Sequence, residues 1–187
     1  MNTVYFPKVR ELRTHKEDIE QKLHISIMIQ GKKVTYHGEA VYEYTAELVL
    51  QAMAFGFSAK QALQLLEPDT TFKVIAMKHF TRRKDMEEVR GRVIGKEGKT
   101  KRTIENISDT ELIISNNDIG ILGRSIQVEA AIVALGNLIR GTKEANTYAF
   151  LERHNKDTKR KRSDLGLKDE EQKELQQFKE DTEDDTE

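Results

Sequence analysis

The sequence contains no cysteine, no tryptophan and only two prolines. The lack of cysteine excludes disulfide frameworks, zinc ribbons, iron–sulfur ligation and thiol nucleophiles, and it makes an intracellular, reducing compartment the expected location. Near Met1 there is no basic stretch followed by an apolar run. No segment of the chain has a run of about 20 apolar residues, the length that a transmembrane helix needs. We therefore expect a cytoplasmic protein that is neither exported nor inserted into a membrane.

Charged residues make up 34% of the 187 residues and hydrophobic residues 37%, which is typical of a globular protein with a polar surface and some unpacked segment. The net charge of −1 hides a separation of charge along the chain. Residues 82–102 form a basic block, and residues 169–187 are mainly acidic. Between them lies a second basic run, which comprises Lys156, Lys159, Arg160, Lys161 and Arg162.

The first 68 residues predict a strand, a helix, a hairpin, a second helix and a short helix. Apolar alternation predicts the hairpin, helical spacing predicts the helices, and capping boxes mark two helix starts. An apolar run at residues 4–6 predicts the first strand, and a capping box at residues 14–17 starts a helix that continues to about residue 23. Alternation over residues 24–29 and a return through Val34 and Tyr36 predict the hairpin. A helix over residues 42–55 ends at Gly56, and a capping box at residues 58–61 starts the short helix. The chain breaks at residues 67–70, where we place a domain boundary.

Residues 69–152 repeat the order strand, helix, strand, strand, helix. A strand is predicted at residues 72–77, and a glycine-bearing loop after residues 92–94 leads into a helix. A strand at residues 110–115, a turn at residues 116–118 and a return strand at residues 119–122 follow. The last predicted element is a helix that Ser125 caps, with apolar residues as far as Ile139. Beyond Leu151 apolar residues become sparse. This composition predicts a flexible charged tail, with one helix over residues 168–179.

The sharpest motif is Gly95-Lys96-Glu97-Gly98, which precedes a basic helix. Two glycines three residues apart let the backbone turn tightly and approach a phosphate that a β-carbon would push away. The following helix directs its free N–H groups and the positive end of its dipole at the same place. Mobile positive charge is added by Lys96, Lys99, Lys101 and Arg102. The motif therefore predicts a polyanionic ligand.

A bare G-x-x-G pattern has little weight, because about one is expected by chance in a chain of this length. The sequence supplies its own control in Gly120-Ile121-Leu122-Gly123. This second pattern is apolar, lies in a predicted return strand and precedes no basic helix. We interpret it as structural.

With its apolar lead-in and flanking lysines, Val93-Ile94-Gly95-Lys96-Glu97-Gly98-Lys99 resembles the signature of the KH domain. In that family this loop joins two helices and clamps about four nucleotides. The resemblance implies a groove for bases, floored by hydrophobic residues that match Val93, Ile94, Ile104 and residues 112–114. The helix that follows the hairpin matches the eukaryotic-type topology of that domain.

The resemblance extends over roughly residues 3–152, to the archaeal two-KH ribosomal-RNA-processing proteins and their eukaryotic counterpart, the small-subunit assembly factor called partner of Nob. It is carried by residues 54–63, 72–75, 91–102 and 147–152 and by the hairpin and helix up to residue 141. It implies a Nob-type endonuclease and the alpha subunit of translation initiation factor two as partners. Residues 8–20 contain no glycine, so we expect the first domain to lack the phosphate clamp. We favour packing against the second domain as its role, and independent RNA binding stays open as the alternative.

The predicted fold is α+β, with two tandem KH-type domains of eukaryotic-type topology. Each is expected to be a three-stranded antiparallel sheet packed by helices on one face. The predicted limits are residues 1–68 for a first KH-like domain without the glycine loop, residues 69–152 for a second KH domain with it, and residues 153–187 for the charged flexible tail.

The predicted function is binding of single-stranded RNA, at the 3′ region of small-subunit ribosomal RNA or its precursor, by a protein that is not an enzyme. Gly95 and Gly98 permit backbone approach, and Lys96 and Lys99 contact phosphate. Ile94 and Ile104 line the base groove, where they equally serve as core. The complete set of predicted RNA-binding residues is Arg90, Arg92, Ile94, Gly95, Lys96, Glu97, Gly98, Lys99, Lys101, Arg102 and Ile104.

Other functions fit the sequence less well. Gly98-Lys99-Thr100 resembles the end of an ATPase phosphate loop, but that motif needs glycine where Val93 stands. The five histidines are scattered, with no i, i+4 pair, so we expect no metal, no cofactor and no hydrolase site. A protein-interaction scaffold with secondary RNA contact stays open as the alternative. The run at residues 159–162 either binds RNA or, as we favour, is a solvated segment that pairs with the acidic tail.

Overall fold

The computed structural model describes residues 2–164, with side chains described as far as residue 160. The chain forms two successive α+β units, each with one sheet. The first unit contains β1 (Asn2–Tyr5), α1 (Arg10–Thr14), α2 (Lys16–Leu23), β2 (Ile25–Gln30), β3 (Lys33–Gly38), α3 (Ala40–Phe55), α4 (Ala59–Ala62) and a 3₁₀ turn (Leu63–Leu66). The second contains β4 (Thr70–Ala76), a 3₁₀ turn (Met77–His79), α5 (Met86–Ile94), a 3₁₀ turn (Lys96–Gly98), α6 (Lys99–Ser108), β5 (Thr110–Ser115), β6 (Asp118–Arg124), α7 (Ser125–Arg140) and α8 (Glu144–Asp164).

Both sheets have three antiparallel strands in the same spatial order, with the last strand of the unit in the centre. Thus β3 lies between β1 and β2, and β6 lies between β4 and β5. The alternation predicted for the first hairpin is real: in β2, Ile25 and Ile27 are buried, whereas Ser26 and Met28 are exposed. The expected α+β class is confirmed, and in each unit two helices follow the first strand.

Each unit has its own hydrophobic core beneath its helices. The first core is formed by residues such as Leu12, Ile19, Val34 and Leu50, and the second by residues such as Met77, Val93, Ile104 and Leu135. The apolar stripes predicted for α3 and α7 face these cores, since Val49, Ala52, Ala131 and Ile139 are buried. The exception is Val41, the first residue of the stripe predicted for α3, which is exposed. The periodicity of the sequence therefore identifies the packed face of both long helices.

The capping box predicted at residues 14–17 does not form, although a helix does begin within these residues, at Lys16. Thr14 is the last residue of α1, and its hydroxyl donates to Arg10 O at 3.1 Å. The chain is already helical by this point, because Leu12 is fully buried in the first core and α1 packs it there. The next helix begins directly after His15, which makes no side-chain cap.

The other two predicted caps have different outcomes. The capping box at Ser58 is confirmed, since Gln61 N–H donates to Ser58 Oγ at 3.3 Å and Ser58 N–H donates to Gln61 Oε1 at 3.0 Å. Ser125 is instead the first residue of α7. Its backbone N–H and its hydroxyl both donate to Asp69 O, at 2.7 and 2.9 Å, so it ties the start of α7 to the turn before β4.

An aromatic cluster joins the two units. Phe55 and Phe57 contact Phe72 of β4, with ring centroids 6.0 and 5.6 Å apart. Gly120 of β6 lies against them: a β-carbon there would stand 2.6 Å from two ring atoms of Phe55 and 3.0 Å from Phe57. The second G-x-x-G pattern therefore has the structural role that its apolar context predicts.

The first unit covers the face of the second sheet that lies opposite its helices. In β6, Leu122 belongs to the first core, whereas its neighbours Ile121 and Ile119 belong to the second. Successive side chains of a strand point to opposite faces, so β6 contributes to one core on each side. A polar bond at the edge of this junction runs from Gln61 Nε2 to Glu111 Oε2, at 3.0 Å.

Helix α8 continues past residue 152 as far as Asp164. Leu151 is fully buried in the second core, and Asn155 Nδ2 donates to Ile107 O in the last turn of α6, which explains why the chain stays packed there. Residues 153–164 are thus helical where the sequence predicts a flexible tail, and the predicted helix over residues 168–179 and the acidic segment lie outside the described residues. Within residues 2–164, no helix combines the length and the apolar character needed to cross a membrane.

We expect Gly120→Ala to lower the free energy of unfolding by about 1–3 kcal/mol, because a methyl group overpacks the junction. Urea unfolding followed by circular dichroism measures this loss. The crowded atoms belong to Phe55, so the double variant with Phe55→Leu should lose less than the sum of the single variants. Gly91→Ala is the matched control, because its β-carbon would meet nothing within 4 Å in α5. Equal losses for the two glycine substitutions would contradict the close approach.

Candidate nucleic-acid interface

The loop predicted to bind phosphate connects α5 directly to α6. Gly95 is the C-cap of α5, a 3₁₀ turn covers Lys96–Gly98, and α6 begins at Lys99. Three of the loop residues have positive φ, namely 72° at Gly95, 55° at Glu97 and 75° at Gly98. Glycine adopts such angles readily, whereas a residue with a β-carbon does so at a cost. The pattern therefore places glycine at two of the three strained positions and leaves Glu97 at the third.

The two glycines are needed for different reasons. A β-carbon at Gly95 would lie 2.0 Å from Thr100 Oγ1 and 2.6 Å from Thr100 Cβ, so that side chain already fills the space. Thr100, in the first turn of α6, is only 2% exposed. A β-carbon at Gly98 would meet the Arg102 guanidinium at 3.8 Å, an ordinary contact. Packing thus requires glycine at position 95, and backbone conformation requires it at position 98.

Lys96 and Lys99 are the two free cations of the loop. Both are exposed, and neither side chain makes an ion pair or hydrogen bond with any residue in the described part of the chain. Lys96 precedes α6 and Lys99 is its first residue, so both stand at the first turn, whose N–H groups and dipole favour an anion. This arrangement can bind a phosphodiester backbone without a metal ion or a catalytic group.

Arg90 and Arg92 have partners outside the loop. Arg90 Nη1 donates to Asn116 O, in the turn between β5 and β6, at 3.2 Å. Arg92 Nη2 donates to Glu88 Oε1 at 3.1 Å, and the same carboxylate accepts from Arg83 at 2.6 Å. The positive charge of Arg92 is therefore partly compensated by Glu88, whereas Arg90 keeps its charge and has one donor engaged by a neutral carbonyl group.

Lys101 and Arg102 are also engaged. Lys101 Nζ donates to Glu105 Oε1 at 2.8 Å, and the same oxygen accepts from Leu112 N–H at 2.9 Å, which links α6 to the outer edge of β5. Arg102 donates to the carbonyl groups of the loop itself. Sequence reasoning missed Glu105, although its i, i+4 spacing from Lys101 is a signal for an ion pair.

The two isoleucines predicted beside the base groove differ in exposure. Ile94 is half-buried next to the loop, whereas Ile104 is fully buried in the second core. Ile104 therefore has the core role that the sequence equally allowed, and it offers no surface to a base. Of the predicted groove floor, Leu112 is also buried, and the half-buried Ile113 packs against the first unit.

No other described cluster competes with the loop as a chemical site. Within the described side chains, no group of three or more His, Asp or Glu residues is placed to hold a metal ion. A polar cavity of about 570 Å³ lies at the opposite end of α6, between the two units and α8, and residues such as Asn106, Asp109 and Gln127 line it. Its mixture of amides and opposite charges does not match a polyanion.

Known proteins resemble this chain in sequence and in structure. Residues 71–156 match the family model of the second KH domain of PNO1, described as a eukaryotic type KH domain (KH-domain type I). The KH domain-containing protein MJ0443 of Methanocaldococcus jannaschii is 31% identical over 160 residues, which cover 82% of this chain and 70% of that protein. The pre-rRNA-processing protein pno1 of Emericella nidulans is 29% identical over 139 residues, which cover 70% of this chain and 54% of that protein.

A solved structure is similar over most of its length. It is the crystal structure of the a/eIF2alpha–aDim2p–rRNA complex from Pyrococcus horikoshii OT3, in which the matched chain has a TM-score of 0.75 and 27% sequence identity. The match covers 83% of this chain and 94% of that chain. Both units of the present structure therefore have counterparts in a chain of known structure.

The two loop glycines should respond differently to substitution. We expect Gly95→Ala to lower the free energy of unfolding by about 2–5 kcal/mol, since the clash with Thr100 adds to the cost of positive φ. Gly98→Ala should cost only about 1–2 kcal/mol, from the positive φ alone. Urea unfolding of both variants measures the difference. A loss at position 98 that equals or exceeds the loss at position 95 would contradict the packing role of Gly95.

Proposed function

This chain belongs to the PNO1/Dim2-type family of KH-domain proteins, and from that premise we propose that it binds single-stranded RNA as a non-enzymatic factor in ribosomal-RNA processing. The observation that carries the proposal is the loop at residues 95–98. Its glycines bring backbone to the surface at the start of α6, and two unpaired lysines stand beside it. KH domains use such a loop to hold the backbone of about four nucleotides.

The proposed roles of the loop residues follow from their surroundings. Gly95 and Gly98 keep the loop free of β-carbons, so that a phosphate can approach the backbone. Lys96 and Lys99 neutralise phosphates, because their ammonium groups have no competing partner in the described structure. Ile94 contributes apolar surface to a base next to the loop.

The proposed target is the 3′ region of small-subunit ribosomal RNA or its precursor. Ribosomal RNA as the target is supported by the pre-rRNA-processing relative in Emericella nidulans and by the Pyrococcus horikoshii complex, which contains rRNA. The 3′ region of the small subunit rests on the sequence resemblance alone. The same complex supports the alpha subunit of translation initiation factor two as a partner, since it contains a/eIF2alpha. A Nob-type endonuclease is a second proposed partner, and it rests on the sequence resemblance alone.

The two units are proposed to be tandem KH domains, with limits at residues 1–68 and 69–152. Their common strand order supports this proposal. In the first unit, His15 alone separates α1 from α2, so the position equivalent to the glycine loop has no room for a clamp. Glu17 and Asp18 in the first turn of α2 would also repel phosphate.

A protein-interaction scaffold is the second candidate function, and one feature of the first unit favours it. Val41 is 79% exposed and Tyr44 is 71% exposed, three residues apart on the same face of α3. Exposed apolar groups next to each other are typical of protein contacts. Both functions are compatible in one molecule, with RNA on the second unit and protein on the first.

The RNA proposal is tested with short labelled RNAs from the small-subunit 3′ end and the double variant Lys96→Asp, Glu97→Asp. We expect the variant to lose binding, because it replaces a free cation with an anion at the loop, while its thermal unfolding changes little. Fluorescence anisotropy measures binding, and circular dichroism measures unfolding. Equal binding by both proteins, or none by either, would favour the scaffold.

Salt dependence tests which lysines meet phosphate. The slope of log affinity against log salt should be about −0.7 for each neutralised phosphate of a single strand. Lys96→Gln and Lys99→Gln should each make the slope shallower by about 0.7. Lys60→Gln, which removes an exposed charge from α4 of the first unit, is the matched control and should leave the slope unchanged. A slope that is flat for the unmodified protein would exclude phosphate binding by the loop.

A further inference from the structure

The guanidinium of Arg102 lies against the loop that the proposed function assigns to phosphate. Arg102 stands one helical turn after Gly98, and its Nε donates to Gly98 O at 3.4 Å. Its Nη2 donates to Glu97 O. A β-carbon on Gly98 would stand 3.8 Å from both nitrogens, so the flat guanidinium packs over that glycine. Two consecutive carbonyl groups of the loop are therefore held by one side chain.

The loop needs such a restraint because its backbone is unfavourable on its own. Glu97 has φ of 55° without being glycine, and Gly95 and Gly98 on either side have many other conformations available. If these three residues relaxed, the N–H groups at the start of α6 would no longer face one point. Hydrogen bonds that fix the carbonyl groups in one orientation also fix the peptide N–H groups, since both belong to the same planar units.

We propose that Arg102 is a positioning residue for RNA binding, which holds the loop in its binding conformation instead of contacting phosphate. This inference rests on the proposed function and changes the role that the sequence predicts for Arg102. The two N–H donors that bind the loop carbonyls are not available to a phosphate at the same time. When only a fraction of the protein is in the binding conformation, the apparent affinity is reduced by that fraction. The arginine raises RNA affinity because it increases the fraction of protein in which the loop has its binding conformation.

Arginine and lysine differ in the property on which this role depends. The planar guanidinium presents several donors in a fixed fork, which spans two neighbouring acceptors. A lysine ammonium is a compact point charge on a flexible stem, and it would restore the charge without restoring the fork. The pair of substitutions Arg102→Lys and Arg102→Gln thus separates shape from charge, and Lys99→Gln provides a variant that loses a free charge.

The experiment measures RNA affinity at several salt concentrations for the unmodified protein, Arg102→Lys, Arg102→Gln and Lys99→Gln. It also measures amide hydrogen exchange at residues 97–99 in the absence of RNA. We expect both Arg102 variants to bind about three- to tenfold more weakly, with the salt slope of the unmodified protein, and to exchange faster in the loop. Lys99→Gln should make the slope shallower by about 0.7 and leave the exchange unchanged.

Several outcomes would overturn the positioning role. Binding by Arg102→Lys that is as tight as that of the unmodified protein would show that charge alone is sufficient. A salt slope that becomes shallower by about 0.7 in Arg102→Gln would identify a direct phosphate contact. Unchanged loop exchange in both variants shows that the arginine does not hold the loop. Absence of salt-dependent RNA binding by the unmodified protein overturns the proposed function itself, and this inference with it.

Discussion

The geometry of the proposed RNA site depends on one steric constraint, the close contact between the backbone of Gly95 and the side chain of Thr100. Thr100 is buried where α5 ends and α6 begins, so the two helices can approach only if residue 95 has no β-carbon. Their approach determines where the loop lies and where the first turn of α6 points. The free lysines, the exposed backbone and the helix dipole all meet at this place because of a close contact inside the protein.

Charge at the site is controlled by pairing more than by composition. Carboxylates within and just after the basic block compensate particular cations, since Glu88 pairs with Arg92 and Glu105 pairs with Lys101. Ion pairs at exposed positions contribute little to stability, but they do decide which cations are available to a ligand. Lys96 and Lys99 lie within the loop and just after it, where the described carboxylates do not reach them. A nearly neutral chain can therefore present a locally positive site.

Much of this arrangement can be predicted from the sequence, because its signals are local. The strands and long helices follow from the period of apolar residues, and the two G-x-x-G patterns are separated by what surrounds them. The role of Thr100 could not be predicted, and the sequence could not decide between core and base groove for Ile104, since burial depends on how two helices meet and not on spacing within one. The predicted cap at Thr14 failed for a similar reason: the burial of Leu12 makes the preceding residues helical and overrides a local capping signal.

The connection between the two helices differs between the units, and this difference underlies their different proposed roles. Both have the same strand order and two helices after the first strand, yet His15 alone joins the helices of the first unit, whereas four residues join those of the second. The four-residue connection of the second unit is long enough to form a loop at the surface, whereas the single residue in the first unit is not. The sheet face that the second unit does not cover with helices is packed by the first unit, through Phe55 and Gly120. The first unit thus stabilises the sheet of the second from behind, while a short loop on the other side carries the proposed function.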